Sequence, residues 1–134
     1  MEVPTNMLRE VIDARQVPGE ARRRWFTSPS IDLFVWTDDQ GAATGFQLCY
    51  DKQDREHALT WTAAGGFNHM TVDGGESRPA RYKGSPILVA DGVINTQRVL
   101  EQFLGESASV PAEFVRFVEA KIVTLAAGVK ESPP

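Results

Sequence analysis

Arg22-Arg23-Arg24 followed by Trp25 is the densest run of cationic chemistry in the chain. Guanidinium groups pair with phosphate or carboxylate through two parallel hydrogen bonds, and an indole offers a face on which a base can stack. Such a run suits an anion site or a contact with single-stranded nucleic acid. The plainer reading is a solvated edge strand whose arginines pair with Glu10, Asp13 and Glu20 and discourage edge-to-edge association. Strand alternation sends Arg22 and Arg24 to one face and Arg23 to the other. That splits the patch, so the plainer reading is the expected one. Arg78, Arg81 and Lys83 form a second basic group within the Gly-, Pro- and Ser-rich stretch 74–85. An enzyme acting on an anionic substrate would bind it with Arg23, Arg81 and Lys83 and move protons with His69 or Asp51.

Cys49 with His57 or His69 has the residue types of a thiol nucleophile and its base. Cys49, however, lies among apolar strand residues, where a buried and inert thiol is the rule. One cysteine and two histidines, without helical or short-loop spacing, make no metal pattern. Asp51, Asp54 and Glu56 are close enough for paired-carboxylate chemistry, but carboxylates between strands usually shape turns. Asp91 follows an apolar run without the second aspartate that an aspartate nucleophile needs two residues on, since position 93 is Val. No phosphate-cradling glycine loop, no Gly-x-Ser-x-Gly and no cofactor fingerprint is present.

These residues need elements to position them. Ile31–Thr37 and Thr44–Tyr50 are rich in β-branched and aromatic residues and flank Asp38-Asp39-Gln40-Gly41, which predicts a hairpin closed by a glycine bulge. A three-residue loop puts Phe34 opposite Phe46 and Trp36 opposite Thr44. Phe34, Trp36, Phe46, Leu48 and Tyr50 then share one face, whereas a two-residue loop shifts the register by one and swaps the partnerships. Both faces are apolar, so the hairpin is expected at the centre of the sheet. Residues 8–16 read as helix from the spacing of Met7, Leu8, Val11 and Ile12. They read as strand from Pro18-Gly19, which would join Arg9–Val17 to Ala21–Thr27 through a type II turn, and the strand is preferred. His57–Thr62 and Phe67–Val72 are two further strands, with Pro86–Ala90 a possible last one. Asn95 caps a helix with the stripe Val99, Leu100, Phe103 and Leu104, stopped at Gly105. A second helix begins after Ser109, carries Phe114, Val115, Phe117, Val118, Ile122 and Leu125, and stops at Gly128.

Strands followed by helices predict an α+β class: an antiparallel, meander-like sheet of five or six strands with two C-terminal helices on its Phe34/Phe46 face. The chain of 134 residues is one domain, with 1–6 and 129–134 as loose ends. Apolar residues at 42% and charged residues at 24% are globular values, and such a chain needs neither disulfide nor metal to fold. A net charge of −4 argues against nucleic acid as the main partner. The lone cysteine and the lack of a membrane-length apolar run or leader pattern set the cytoplasm as the expected location.

Arg22-Arg23-Arg24-Trp25-Phe26, Gly45-Phe46-Gln47-Leu48-Cys49-Tyr50-Asp51-Lys52 and Ala58-Leu59-Thr60-Trp61 resemble signature stretches of a family of small uncharacterised bacterial proteins. The similarity runs from about Leu8 to Leu125. No activity is attached to that family, so the resemblance implies no functional residue. Taken alone, the residues favour a non-enzymatic binding or interaction module. It would use an uncovered sheet face and the 74–85 loop, with Arg23, Trp25, His69, Arg81 and Lys83 as candidate ligand contacts. A small enzyme and a single-strand binder through Arg22–Trp25 are the alternatives. An uncovered apolar face would serve equally as a homo-oligomer surface.

Overall fold

In the computed structural model, residues 7–12, 14–16, 18–52, 56–71 and 95–130 are described. Stretch after stretch of alternating side chains forms strands β1 (Arg9–Val11), β2 (Arg22–Thr27), β3 (Asp32–Thr37), β4 (Ala43–Tyr50), β5 (His57–Thr62) and β6 (Gly66–Thr71). They lie in one antiparallel sheet in chain order, a meander. Helices α1 (Thr96–Glu106) and α2 (Ala112–Lys130) follow. The fold is α+β, as expected. The run Pro86–Ala90 and the whole 74–85 stretch, with Arg78, Arg81 and Lys83, lie outside the described residues, as do Asp13, Asp54 and Asp91.

The strand reading of residues 8–16 holds, but the strand is short. It pairs Arg9 with Thr27 and Val11 with Trp25, and stops there. The Gln16 side chain then takes over the ladder's role: its amide accepts from Arg23 N at 2.9 Å and donates to Arg23 O at 2.9 Å. Gly19 has the positive φ, 86°, that the expected Pro18-Gly19 turn requires.

The three-residue turn closed by Gly41 forms as expected, but beyond it the β3–β4 register differs from the expected one. Val35 faces Phe46, Phe34 faces Gln47 and Trp36 faces Gly45, with a bulge between Trp36 and Thr37. The cause is local. Asp38 N donates to Ala42 O, and the Asp38 carboxylate accepts from the backbone of Gln40 and Ala42, so Asp39, Gln40 and Gly41 form the turn and Thr37 faces Ala43. Thr44 is the extra residue of the bulge, and it moves Phe34 and Trp36 to the face away from Phe46.

Phe26, Leu33, Val35, Phe46, Leu48 and Leu59 therefore point one way, and both helices cover them. Val99 and Phe103 of α1 and Phe114, Val118 and Ile122 of α2 complete this core. Phe114 meets Phe26 edge-on at 6.3 Å, and Phe117 meets Phe46 at 6.4 Å and Trp61 at 5.8 Å.

Neither glycine stops its helix. Gly105 lies inside α1, whose cap is Ser107, and Gly128 lies inside α2. At Ser107 the hydroxyl donates back to Leu104 O at 3.1 Å. Glu106 pins that end to the sheet: Ser28 Oγ donates to its carboxylate at 2.6 Å, and Leu8 N donates to its carbonyl at 2.8 Å. Among the described residues no helix is long and apolar enough to cross a membrane.

Candidate functional site

Alternation along the strands, with the observed register, gathers one set of side chains on the face away from the helices. Val11, Trp25, Phe34, Gln47, Thr60 and Asn68 are successive cross-strand partners in a single row over all six strands. Arg23 and Trp36 begin the adjacent row, which continues through Gly45 and Thr62. The β2–β3 half of this face is aromatic. Its β4–β6 half is neutral and polar.

Trp25 and Phe34 stack with centroids 5.6 Å apart and planes 17° from parallel. Trp25 Nε1 donates to Asp32 at 3.4 Å, which holds the indole edge. The same carboxylate oxygen accepts from Thr27 and, at 3.1 Å, from the Lys52 ammonium, so that charge is neutralised in place. The Arg23 guanidinium lies 5.8 Å from the Phe34 ring centroid, and its Nε donates to Arg15 O at 2.9 Å. Trp36 stands beside a glycine for a steric reason: a Cβ on Gly45 would come within 2.9 Å of Trp61 O and 3.5 Å of the Trp36 ring. Trp36, Gly45 and Thr62 with Glu20 and Ala21 line a surface recess of about 420 Å³. Further along, Gln47 Nε2 donates to Thr60 Oγ1 at 3.1 Å. Asn68 Oδ1 is buried without a hydrogen-bond partner among the described residues.

The arginine run divides as alternation requires. Arg24 lies on the helix side, forked onto Glu10 with two bonds of 2.8 Å and laid over the Phe26 and Phe114 rings at 5.5 and 5.1 Å. Its bond to Glu10 raises the Arg24 pKa and lowers that of the carboxyl. Arg22, Arg23 and Arg24 all border a broad depression that Glu10, Asp38 and Asp39 also line, so its charge is mixed. Only Arg23 shares a face with Trp25.

Cys49 points to the face that is helix-free among the described residues, while His57 and His69 point to the other, so no thiol–imidazole pair forms. Burial, then the carboxylates of Glu56 and Asp32, pushes the thiol up to about 12. Asp51 gives both oxygens to Arg98, at 3.2 and 2.9 Å. The described residues hold no group of three or more His, Cys, Asp or Glu side chains able to hold a metal ion.

Of the five candidate contacts, Arg23 and Trp25 share the helix-free face and His69 lies on the opposite one. Arg81 and Lys83 are outside the described residues. Sequence reasoning missed Phe34, Trp36, Gln47 and Asn68 as their neighbours. The bulge at Thr44 that places Phe34 and Trp36 there left no signal in the strand alternation. No family model matches the chain, and no curated protein and no solved structure is similar to it.

Proposed function

We propose that this chain is a non-enzymatic binding module, that its working surface is the helix-free face of the sheet, and that its ligand presents a flat, uncharged ring. The observation that carries this reading is the half-buried aromatic strip Trp25, Phe34 and Trp36 set beside the neutral row Gln47, Thr60 and Asn68. Rings stack on indole and phenyl faces for about 0.5–1.5 kcal/mol beyond the area they bury. The half-buried Thr60 and Asn68 then orient a polar edge without demanding charge, and the buried Gln47 holds Thr60 in place. Of the charges near the strip, Asp32 is met by Lys52 and Arg23 by Arg15 O and the Phe34 ring, while Glu20 lines the recess beside Trp36.

Two arrangements count against the alternatives. The enzyme reading needs His69 or Asp51 free to move protons, yet His69 Nε2 is hydrogen-bonded to Tyr50 and Asp51 gives both oxygens to Arg98. A single-strand binder needs cations tracking its stacked bases, yet Arg22 and Arg24 lie on the far side of the sheet from Trp25.

Titration of tryptophan fluorescence with indole, adenosine and a short single-stranded oligonucleotide, at low and moderate salt, tests the proposal. The uncharged rings are expected to bind with little salt dependence. Trp25→Ala and Trp36→Ala should each weaken that binding about tenfold, equal to about 1.4 kcal/mol. Binding of the oligonucleotide alone, falling steeply with salt, would overturn the reading in favour of a phosphate contact.

A further inference from the structure

On the helix-covered side, three rings from three strands meet where α1 begins. Tyr50 and His57 are direct cross-strand partners, and His69 sits one strand further out, opposite Leu59. The imidazoles stack with centroids 5.3 Å apart and planes 1° from parallel. The phenol ring lies 5.5 Å from His57 and 5.9 Å from His69, within 19° of parallel to each. The Tyr50 hydroxyl is hydrogen-bonded to His69 Nε2. Above the phenol, 5.9 Å from its centroid, lies the guanidinium of Arg98, from the first turn of α1. Arg98 is held there by Asp51, whose backbone takes the uncommon φ of 56° at the end of β4.

The titratable and charged groups placed against this cluster are Tyr50 and Asp51 from β4 and its end, His57 from β5, His69 from β6 and Arg98 from α1. Among the described residues Asp51 is the one anion there, and both its oxygens are committed to Arg98. His57 Nδ1 is buried and has no partner among the described residues. A proton arriving on His69 thus meets a second imidazole and a guanidinium, with no free carboxylate among the described residues to receive it.

We propose that Tyr50, His57 and His69 form an acid-sensitive latch that fastens the first turn of α1 and the edge strand β6 to the sheet, and that opens when the imidazoles take up protons. Burial, with the neighbouring His57, lowers the His69 pKa from 6.5 to about 4, in the direction the latch requires. A depressed imidazole contributes stability that is complete above the ordinary histidine value. That stability is lost as pH falls from about 6.5 toward about 4, because the open form binds the proton first.

The test is amide hydrogen exchange and histidine ring titration by NMR on the full chain, at pH 7.5 and pH 5. His69 is expected to titrate well below 6.5. Amides of β6 and of the start of α1 should lose about tenfold in protection on acidification, corrected for intrinsic exchange, the partial exposure of the rings keeping the loss modest. Protection in β2 and β3 should hold. His69→Gln should abolish the selective loss. Should that variant fail to fold, the parent protein alone decides: two histidines titrating near 6.5, with β6 protection unchanged, would overturn the proposal.

Discussion

Cys49 shows what one side chain's surroundings do to its chemistry. It is 4% exposed, its thiol is pushed up to about 12, and both histidines point the other way. Alkylation of the native protein at pH 8 should therefore run more than a hundredfold slower than in denaturant, since roughly only the thiolate reacts. Equal rates in the two conditions would contradict this placement. The inert thiol was legible in the sequence because apolar neighbours on a strand imply burial. The partnership of Arg24 with Glu10 was legible too, from charge and proximity along a hairpin. The union of Tyr50, His57 and His69 was not, because alternation assigns a residue to a face but does not say which of several rings on that face will touch. The same holds for Arg98 and Asp51, brought together from a strand end and a helix start by tertiary packing.

The elements were nearly all readable from pattern, and their errors share one origin in hydrogen bonds that no pattern encodes. β5 was expected at His57–Thr62 and lies there, since period-two alternation and flanking turn residues agree. The β3–β4 partnership slipped by one because a bulge inserts Thr44 into β4 just beyond the expected turn. The helix ends moved because Ser107 and Glu106 bond backward and across to the sheet, which holds Gly105 in helical conformation despite its low propensity. The position of Phe46 under the helices survives this correction: it is fully buried and meets Phe117 edge-on. Phe46→Ala should cost about 3–5 kcal/mol in chemical denaturation. A loss below about 1 kcal/mol would mean that α2 does not pack over the hairpin as described.

At the scale of the whole molecule, the sheet separates two chemistries. One face is sealed by two helices and holds the core, with the three-ring cluster at its margin. The other carries the aromatic strip and the neutral amide row. Acidification and ligand binding should consequently act on different faces, the first loosening β6 and α1, the second engaging β2 and β3. Backbone amide shift mapping with an uncharged planar ring such as adenosine, on the folded chain at neutral pH, puts the proposed function to the most direct test. The shifts are predicted to gather on Arg23, Trp25, Phe34 and Trp36 and to extend to Gln47 and Thr60, leaving Phe114, Val118 and Ile122 unmoved. Shifts confined to Tyr50, His57, His69 and Arg98, or to Arg22 and Arg24, would contradict the assignment of the helix-free face as the working surface.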